Sequence, residues 1–322
     1  MPIEQTVMKE PIYSNIEYDD AFRTMEGKCD DVLLPFVNYF FGENYDHTAV
    51  ITRMRNEHII EHEDHSKDKR ISDSHFAITQ NDICKKYHLE CESKPYDGSL
   101  LVRLFEYGTQ VAIEDAEFTE DVLHIRMPHT GLLLLRASKK APRKAKILIE
   151  TPEGSASYSI PIIKEADFTI DLIFEKKLYL LIPFYIFNFE KDLDHINRDE
   201  SRIERMLELY KSINDRLQKE LADGNLSSRS YSVIIGVTTH GVFSKLTANY
   251  SDLNAKVGDY MGGKVLDLPE TIFFNRGVEQ GTARIVENML KLGKSCSDIM
   301  ESTGCSEEMI RQIEEQMKTK TV

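Results

Sequence analysis

The pattern of apolar and polar positions is most regular between Ile71 and Gln110, where it predicts a strand, a turn, a second strand, a loop and a helix. The first strand is predicted over Ser72–Thr79 and the second over Tyr87–Lys94. The dipeptide Asn81-Asp82 between them is a typical turn signal. This stretch is the centre of the predicted fold.

The second of these strands is predicted to have an acidic face. Because side chains on a strand alternate between its two faces, Glu90, Glu92 and Lys94 point the same way. Asp73 lies on the neighbouring strand. Two carboxylates and an ammonium group beside a further aspartate are able to recruit Mg²⁺, which prefers carboxylate oxygens and retains several waters.

Further strands extend the predicted sheet. Thr48–Met54 is one, and the apolar run Leu132–Leu135 is typical of a strand that is buried on both faces. Lys146–Glu150 and Ser155–Ile163 predict a hairpin around a Pro-Glu-Gly turn. The sequence thus predicts a sheet of five or six strands with helices packed on it.

A long helical pattern precedes the sheet. It covers Tyr18 to Gly42, and Pro35 inside it predicts a kink or the junction of two shorter helices. Its acids Glu26, Asp30 and Asp31 are candidates for an outer carboxylate at the metal site, and solvation at the surface is the alternative for each of them.

The changes of pattern along the chain divide it into four segments. Residues 1–17 are predicted to be an arm, 18–165 an α/β core with a mixed sheet flanked by helices, and 166–260 a helical extension. Residues 261–322 are predicted to form a helical, helix-turn-helix-like hand. Between residues 283 and 318 the hand has seven acids and five bases. This balance favours packing or homo-oligomerisation over the reading of DNA by the hand.

Composition indicates a soluble protein of the cytoplasm. The 322 residues are 41% hydrophobic and 29% charged. The longest apolar run, Leu178 to Phe189, is too short for a membrane crossing, which needs about 20 residues. No secretory signal is visible at the N-terminus. The five cysteines include no C-x-x-C pair, and reduced thiols are the simplest interpretation.

The charge of the chain restricts how it can bind nucleic acid. A formal net charge of −14 argues against a basic surface that covers the whole protein, because phosphate contacts dominate affinity for DNA. The positive charge is concentrated in one segment whose six basic residues have no acid among them: Arg136, Lys139, Lys140, Arg143, Lys144 and Lys146. The segment is predicted to contact the DNA backbone, with a solvated turn between strands as the alternative.

The polar segment 56–70 contains a second candidate metal site. His58, Glu61 and His62 match the H-x-x-E-H string of zinc peptidases, and His65 can extend the cluster. The two histidines of the string share a face only on a helix, whereas the pair Ile59-Ile60 favours a strand. A polar connection between strands is therefore the favoured interpretation.

The central stretch also resembles a known family. Asp73, a turn, Glu90-x-Glu92 and a helix that contains Val102-Arg103-Leu104-Phe105 resemble the PD-(D/E)xK nuclease fold. More narrowly, the chain resembles the recombination-promoting nuclease and transposase-like proteins of bacteria, in which the strand usually reads E-x-Q. Here Glu92 takes the third position, and Lys94 is available as the missing cation.

This resemblance implies a fold and a function. The fold is a restriction-endonuclease-like mixed sheet, and the activity is metal-dependent hydrolysis of DNA, of a type associated with mobile elements or recombination. Asp73, Glu90 and the backbone carbonyl of Cys91 would bind Mg²⁺ or Mn²⁺, and Lys94 or Glu92 would orient the attacking water.

Two further expectations concern the substrate and the alternative to catalysis. Arg103, near the N-terminus of its helix, and the basic segment would hold the DNA backbone without strong sequence specificity. A salt bridge from Arg103 to Glu106 or to a strand acid is the alternative for this arginine. The alternative function is a catalytically impaired nuclease fold that binds DNA or another protein, which Glu92 and the acidic charge favour.

Overall fold

A computed structural model describes most of the chain. The described residues are 18–54, 57–61, 67–71, 74–136, 141–258, 260, 285–291, 293–303, 310–311 and 313–314, with main chain only at 57–61, 67–71, 297 and 301. The chain divides into two compact units, Met1–Val265 and Leu266–Val322.

The first unit is built on β-strands that join into three sheets. In chain order the strands are β1 Val50–Arg53, β2 Glu57–Glu61, β3 Lys67–Ile71, β4 Ser74–Gln80, β5 Ile83–Glu92, β6 Glu117–Thr119, β7 Val122–His124, β8 His129–Leu134, β9 Lys144–Thr151 and β10 Gly154–Lys164. Six of them form one sheet in the order β1-β4-β5-β8-β10-β9, while β2-β3 and β6-β7 are separate pairs.

The main sheet is mixed. β1, β4 and β5 are antiparallel neighbours, as are β10 and β9. β8 lies between β5 and β10 and is parallel to both. A central strand with parallel neighbours is buried on both faces, and this explains the run of leucines in β8. The predicted α/β class, with a mixed sheet flanked by helices, is confirmed.

The turn between β4 and β5 has a backbone that its sequence favours. Asn81 and Asp82 have φ values of 51° and 60°, in the left-handed region. A two-residue hairpin with a type I′ turn needs positive φ at both turn positions, and asparagine and aspartate tolerate it better than other residues with a side chain. The predicted turn is therefore confirmed.

Helices flank the sheet and dominate the chain after it. The α-helices are α1 Tyr18–Lys28, α2 Asp30–Phe41, α3 Leu100–Glu114, α4 Ile170–Glu175, α5 Leu193–Asn197, α6 Glu200–Ala222, α7 Ser228–Gly236, α8 Ser244–Leu246, α9 Ser251–Leu253 and α10 Cys296–Thr303. Tyr179–Asp192 is a 3-10 helix, and Val237–Phe243 and Asn254–Gly258 are π-helical. The predicted helical C-terminal half is confirmed.

The break in the first helical segment is not where the sequence predicts it. The helices meet at Cys29, which leaves the helical region with φ −127° and ψ 74°, while Pro35 lies inside α2. Asp30 and Asp31 occupy the first turn of α2, where the helix dipole favours acids. The predicted stop at Gly42 is confirmed, because this residue adopts φ 70° after the last turn.

The two faces of the sheet pack on different helices. Leu132 and Leu134 of β8 belong to a buried cluster with Leu100 and Leu104 of α3. On the opposite face, the α-carbon of Gly131 is approached closely by the ring of Phe40 from α2. The sheet therefore lies between α3 and the helical pair α1 and α2.

The second unit has a small core of its own. Four buried side chains form it: Val286, Ile299, Ile310 and Ile313. They lie on helical segments, as the helix-turn-helix-like pattern predicts for the described part of this unit.

The described part of the zinc-peptidase string, residues 58–61, lies in a strand. His58 lies in β2, which pairs with β3 as a hairpin, so the helix needed to bring the two histidines of the string onto one face is not formed. The adjacent Ile59-Ile60 pair favours the extended chain. His62 and His65 lie outside the described residues.

Candidate functional site

Three strands of the main sheet end at the same edge. β5, β8 and β10 run in the same direction, and the pairs Glu92↔Leu134 and Lys164↔Leu134 bring their carboxyl ends together. In open α/β sheets, ligands bind outside the carboxyl ends of the strands. This edge is therefore where a binding site is expected from topology alone.

Glu90 and Glu92 point to the α3 side of the sheet at this edge. They pair in register with Leu132 and Leu134, whose side chains contact α3. Both glutamates are buried, with 2% and 9% of their surface exposed. The prediction that the two carboxylates share a face is consistent with this geometry.

One arginine joins these two carboxylates. Arg103 extends from the first turns of α3, and its Nη2 donates to Glu90 Oε2 at 3.2 Å and to Glu92 Oε2 at 3.1 Å. Its side chain is 39% exposed, so solvent reaches the guanidinium although the acids below it are buried. Of the two roles predicted for Arg103, the salt bridge to strand acids is the one present in this structure.

A histidine supports Glu90 from within the sheet. His88 is fully buried, and its Nε2 lies 3.1 Å from Glu90 Oε1. Because a carboxylate accepts hydrogen bonds, Nε2 carries the proton in this contact. The ring also makes an edge contact with Tyr107 of α3, with centroids 6.0 Å apart. Glu90 is thus fixed from two sides, by His88 and by Arg103.

The position predicted for Lys94 needs correction. β5 ends at Glu92, so Lys94 does not continue the strand face that holds Glu90 and Glu92. The main chain is instead turned by a hydrogen bond from Lys94 N to Glu92 Oε1, at 2.8 Å. The side chain of Lys94 is exposed and lines the same cavity as Glu92 and Arg103.

The other two predicted metal ligands have different outcomes. Cys91 is buried in β5, with 1% of its surface exposed, and its role as a ligand through the carbonyl stays a prediction. Asp73 lies outside the described residues, so its convergence with Glu90 also stays a prediction.

An additional acid approaches the pair from α1. Asp19 is half-buried, and its pKa is raised first by burial and then by the negative charge of Glu92 and, more weakly, of Glu90. Arg23 and Arg103 oppose this rise. The amino end of α1 therefore brings a third carboxylate into the electrostatic environment of the two strand acids.

The acids that the sequence suggested on the first helices have other contacts. Arg53 of β1 lies 3.3 Å from Glu26 Oε1 and 2.5 Å from Asp30 Oδ1. Asp31 accepts hydrogen bonds from Ser227 N and Ser230 Oγ. Each of the three candidate outer carboxylates is therefore paired elsewhere, and Asp19 is the helix acid whose charge acts on Glu90 and Glu92.

The basic segment is divided by the structure. Arg136 follows β8 at the edge of the site, where it donates to Glu190 Oε2 at 2.6 Å and to Ser93 O at 2.8 Å. Its guanidinium also lies 4.6 Å from the ring centroid of Phe187. These intramolecular contacts fix Arg136, and its contact with DNA stays a prediction.

Of the remaining basic residues, the three that the structure describes are more exposed than Arg136. Arg143 lies 3.3 Å from Asp167 Oδ2, and Lys144 and Lys146 are exposed on β9, an outer strand of the sheet. Lys139 and Lys140 lie outside the described residues. The DNA-binding role of all five stays a prediction.

Two adjoining cavities open at the edge of the sheet. The first, of about 230 Å³, is lined by Glu92, Lys94, Pro95, Asp97, Ser99, Leu100 and Arg103. The second, of about 380 Å³, is lined by Pro95, Leu135, Arg136, Ala166, Phe187, Asn188, Glu190 and Lys191. Pro95 lines both cavities, which places Arg103 of the first and Arg136 of the second on neighbouring parts of this edge.

The carboxylate oxygens of Glu90 and Glu92 are only in part suited to bind a divalent cation. Oxygens of Glu90 and Glu92 lie within 3.2 Å of one nitrogen, so a single positive charge already contacts both carboxylates. Mg²⁺ is commonly held by one or two carboxylates together with waters and substrate phosphates. Across the described ranges, no group of three or more His, Cys, Asp or Glu side chains is placed to hold a metal ion.

His88 and Asp19 are the site residues that sequence reasoning missed. The alternation that places Glu90 and Glu92 on one face places His88 there too, so the signal for His88 was available. Asp19 had no such signal, because its approach depends on how α1 lies on the sheet.

Searches with this chain against protein-family models, curated proteins and solved structures return no match. No helix in the described part of the chain combines the length and the apolar character that a membrane crossing requires.

Proposed function

We propose that the protein is a metal-dependent phosphodiesterase that cleaves DNA, with Glu90 and Glu92 as its central carboxylates. The observation that supports this most is the pair itself. Two glutamates are buried at the carboxyl edge of a mixed sheet, and one partly exposed arginine contacts both. Buried carboxylates are costly unless they are paired, and such groups are concentrated at functional sites.

The surroundings of the pair give each residue a role in this proposal. Glu90 and Glu92, with Asp73 as the predicted third ligand, would hold Mg²⁺ or Mn²⁺. When bound, the ion supplies an activated water and neutralises charge on the phosphate. His88 fixes the orientation of Glu90, and Lys94 and Arg103 line the cavity next to the pair, where they can contact an anionic oxygen of the substrate.

The negative charge of the protein limits how DNA would be held. At −14, affinity has to come from local contacts. The path from Arg103 past Pro95 to Lys191 and the exposed Lys144 and Lys146 are the places where such contacts are proposed. These groups would contact phosphates, so we expect little sequence specificity.

A second candidate function is non-catalytic: a protein with this fold would bind DNA or another protein without cleaving DNA. The salt bridge from Arg103 favours it, because both carboxylates already have a cationic partner. The presence of Glu92 where the resembling family usually has glutamine also favours it.

Nicking of a supercoiled plasmid tests the first function. With Mg²⁺ or Mn²⁺ the wild-type protein is expected to convert the plasmid to nicked and linear forms, and EDTA to prevent this. Glu90→Gln and Glu92→Gln are each expected to lower the initial rate at least about 100-fold, because the metal contributes several kcal/mol to transition-state stabilisation.

The matched control is Glu150→Gln, which neutralises an exposed glutamate of β9 and is expected to leave the rate unchanged. Cleavage that survives Glu90→Gln would contradict the proposed site. An inactive wild-type protein that still shifts DNA in a salt-dependent way would instead support the second function.

A further inference from the structure

We propose that Arg103 is a phosphate-responsive counter-ion: it neutralises Glu90 and Glu92 in the free protein, and it moves to an anionic phosphodiester oxygen when substrate arrives, which leaves the carboxylates available to the metal. This inference rests on the proposed function. It makes metal uptake depend on the presence of the substrate phosphate.

The first step of the argument is the position of the guanidinium. Its Nη2 lies 3.2 Å from Glu90 Oε2 and 3.1 Å from Glu92 Oε2, so a positive charge already contacts both of the carboxylates that would hold the metal. Arg103 and a metal ion therefore compete for the same oxygens. While the guanidinium is in place, it neutralises the two carboxylates without a metal ion.

The second step is the difference in burial within this group. Glu90 and Glu92 are 2% and 9% exposed and lie on a central strand, so they are unable to follow a ligand outwards. Arg103 has a long side chain that is 39% exposed and lines an open cavity. The arginine is thus the mobile partner of the salt bridge.

The third step concerns the ligand that would attract Arg103. The cavity contains Lys94, and it adjoins the amino end of α3 at Ser99 and Leu100. A guanidinium binds a phosphate with two parallel hydrogen bonds, and lysine adds a point charge. A phosphodiester anion fits this environment, whereas a neutral ester offers Arg103 no charge to exchange for the carboxylates.

The thermodynamic consequence is reciprocal. If a bound phosphate draws the Arg103 guanidinium away from the two glutamates, it raises the affinity of the protein for the metal. The bound metal then raises the affinity of the protein for phosphate by the same factor. The factor is expected to lie between about 5-fold and 150-fold, the usual range for coupled binding sites. In this scheme Arg103 binds the substrate phosphate, and its effect on the metal is exerted through the two glutamates.

Titration of the full-length protein with Mn²⁺, followed by the EPR signal of the free ion, measures this coupling without any cleavage. Dimethyl phosphate serves as the phosphodiester anion and trimethyl phosphate as its neutral counterpart, at constant ionic strength. Wild type is expected to bind Mn²⁺ at least about 5-fold more tightly with dimethyl phosphate than with trimethyl phosphate.

Arg103→Met is expected to remove the dependence of Mn²⁺ affinity on the charge of the phosphate ester. Without the competing guanidinium, Mn²⁺ should bind with the same affinity in both esters, and more tightly than it binds to wild type without an anion. The variant should also have a lower Tm in EDTA, because each of the two buried carboxylates loses its cationic partner, and Mn²⁺ should raise that Tm by at least about 3 °C.

Two further variants complete the design. Arg126→Met removes an exposed arginine that is paired with Glu117, and it should keep the coupling of wild type. Arg103→Lys keeps a positive charge and protects against loss of the fold, and its coupling should fall below that of wild type because an ammonium is a poorer bridge between two carboxylates.

The possible results separate this inference from the proposed function. Tight Mn²⁺ binding by wild type that is equal in both esters would overturn the inference and leave the proposed function standing. Absence of Mn²⁺ binding from wild type and from both Arg103 variants, with either ester, would contradict the metal centre itself. Coupling that persists in Arg103→Met would assign the effect to another residue and overturn the inference.

Discussion

At the residue scale, the acidic face of β5 is the part of the site that the sequence predicts best. A period of two is enough to place Glu90 and Glu92 together, and the buried pair in the structure agrees with it. The sequence does not identify the partner of the pair, because it allows Arg103 to contact a phosphate, Glu106 or the strand acids. That choice depends on the distance between α3 and β5, which no local pattern contains.

Glu26, for which the sequence leaves an outer metal ligand and a solvated helix residue as alternatives, illustrates how burial changes the chemistry of a side chain. It is 3% exposed, and burial raises its pKa to about 7 although Arg53 lowers it. A carboxyl whose pKa is higher in the folded state contributes stability below its unfolded pKa of 4.5, and this contribution is lost as the pH rises to about 7.

The variant Glu26→Gln tests this sign, because glutamine resembles the protonated carboxyl at every pH. Relative to wild type, the variant should gain stability between pH 5 and pH 8, by up to about 3 kcal/mol. Urea denaturation at several pH values measures the difference. Glu114→Gln, at an exposed site at the end of α3, is the control, and an identical pH dependence for both variants would refute the assignment.

At the element scale, the sequence predicts which elements exist better than where they end. The hairpin of β4 and β5, the buried β8, the hairpin of β9 and β10 and the helical second half all have local signals. The break at Cys29 and the end of β5 at Glu92 do not. Both depend on packing against other elements, and the second of them removes Lys94 from the strand face.

The packing of α2 on the sheet depends on one residue without a side chain. A β-carbon at Gly131 would lie closer to Cε1 of Phe40 than real β-carbons approach other atoms, and 3.0 Å from Cδ1 and Cζ of the same ring. Phe40 is itself buried, so the ring has little space to move away. β8, which lies between β10 and the carboxylate-bearing strand β5, thus packs closely against α2.

Gly131→Ala is therefore expected to lower the free energy of unfolding by about 1–3 kcal/mol, the usual cost of overpacking a core. Gly154→Ala is the matched control, since it also lies in a strand and a β-carbon there meets nothing within 4 Å. Chemical denaturation of both variants measures the difference. Equal stabilities would mean that α2 adapts freely to the sheet.

At the scale of the whole molecule, two features matter for function: the net charge and the division into two units. The net charge of −14 confines any nucleic-acid contact to local groups, most of which lie at or near the carboxyl edge of the sheet. The unit Leu266–Val322 has its own core and is described apart from the site. Oligomerisation through it stays a prediction, because nothing in a single chain tests it.

The central claim is that Glu90 and Glu92 form a cation centre that is completed when a phosphodiester is present. Crystals of the full-length protein grown with Mn²⁺ and a short DNA duplex, measured for anomalous scattering, test it most directly. The account predicts an anomalous peak about 2–2.5 Å from oxygens of both glutamates, with Arg103 turned to a phosphate. DNA bound in the cavity with no such peak, and with Arg103 still on the two carboxylates, would contradict the account.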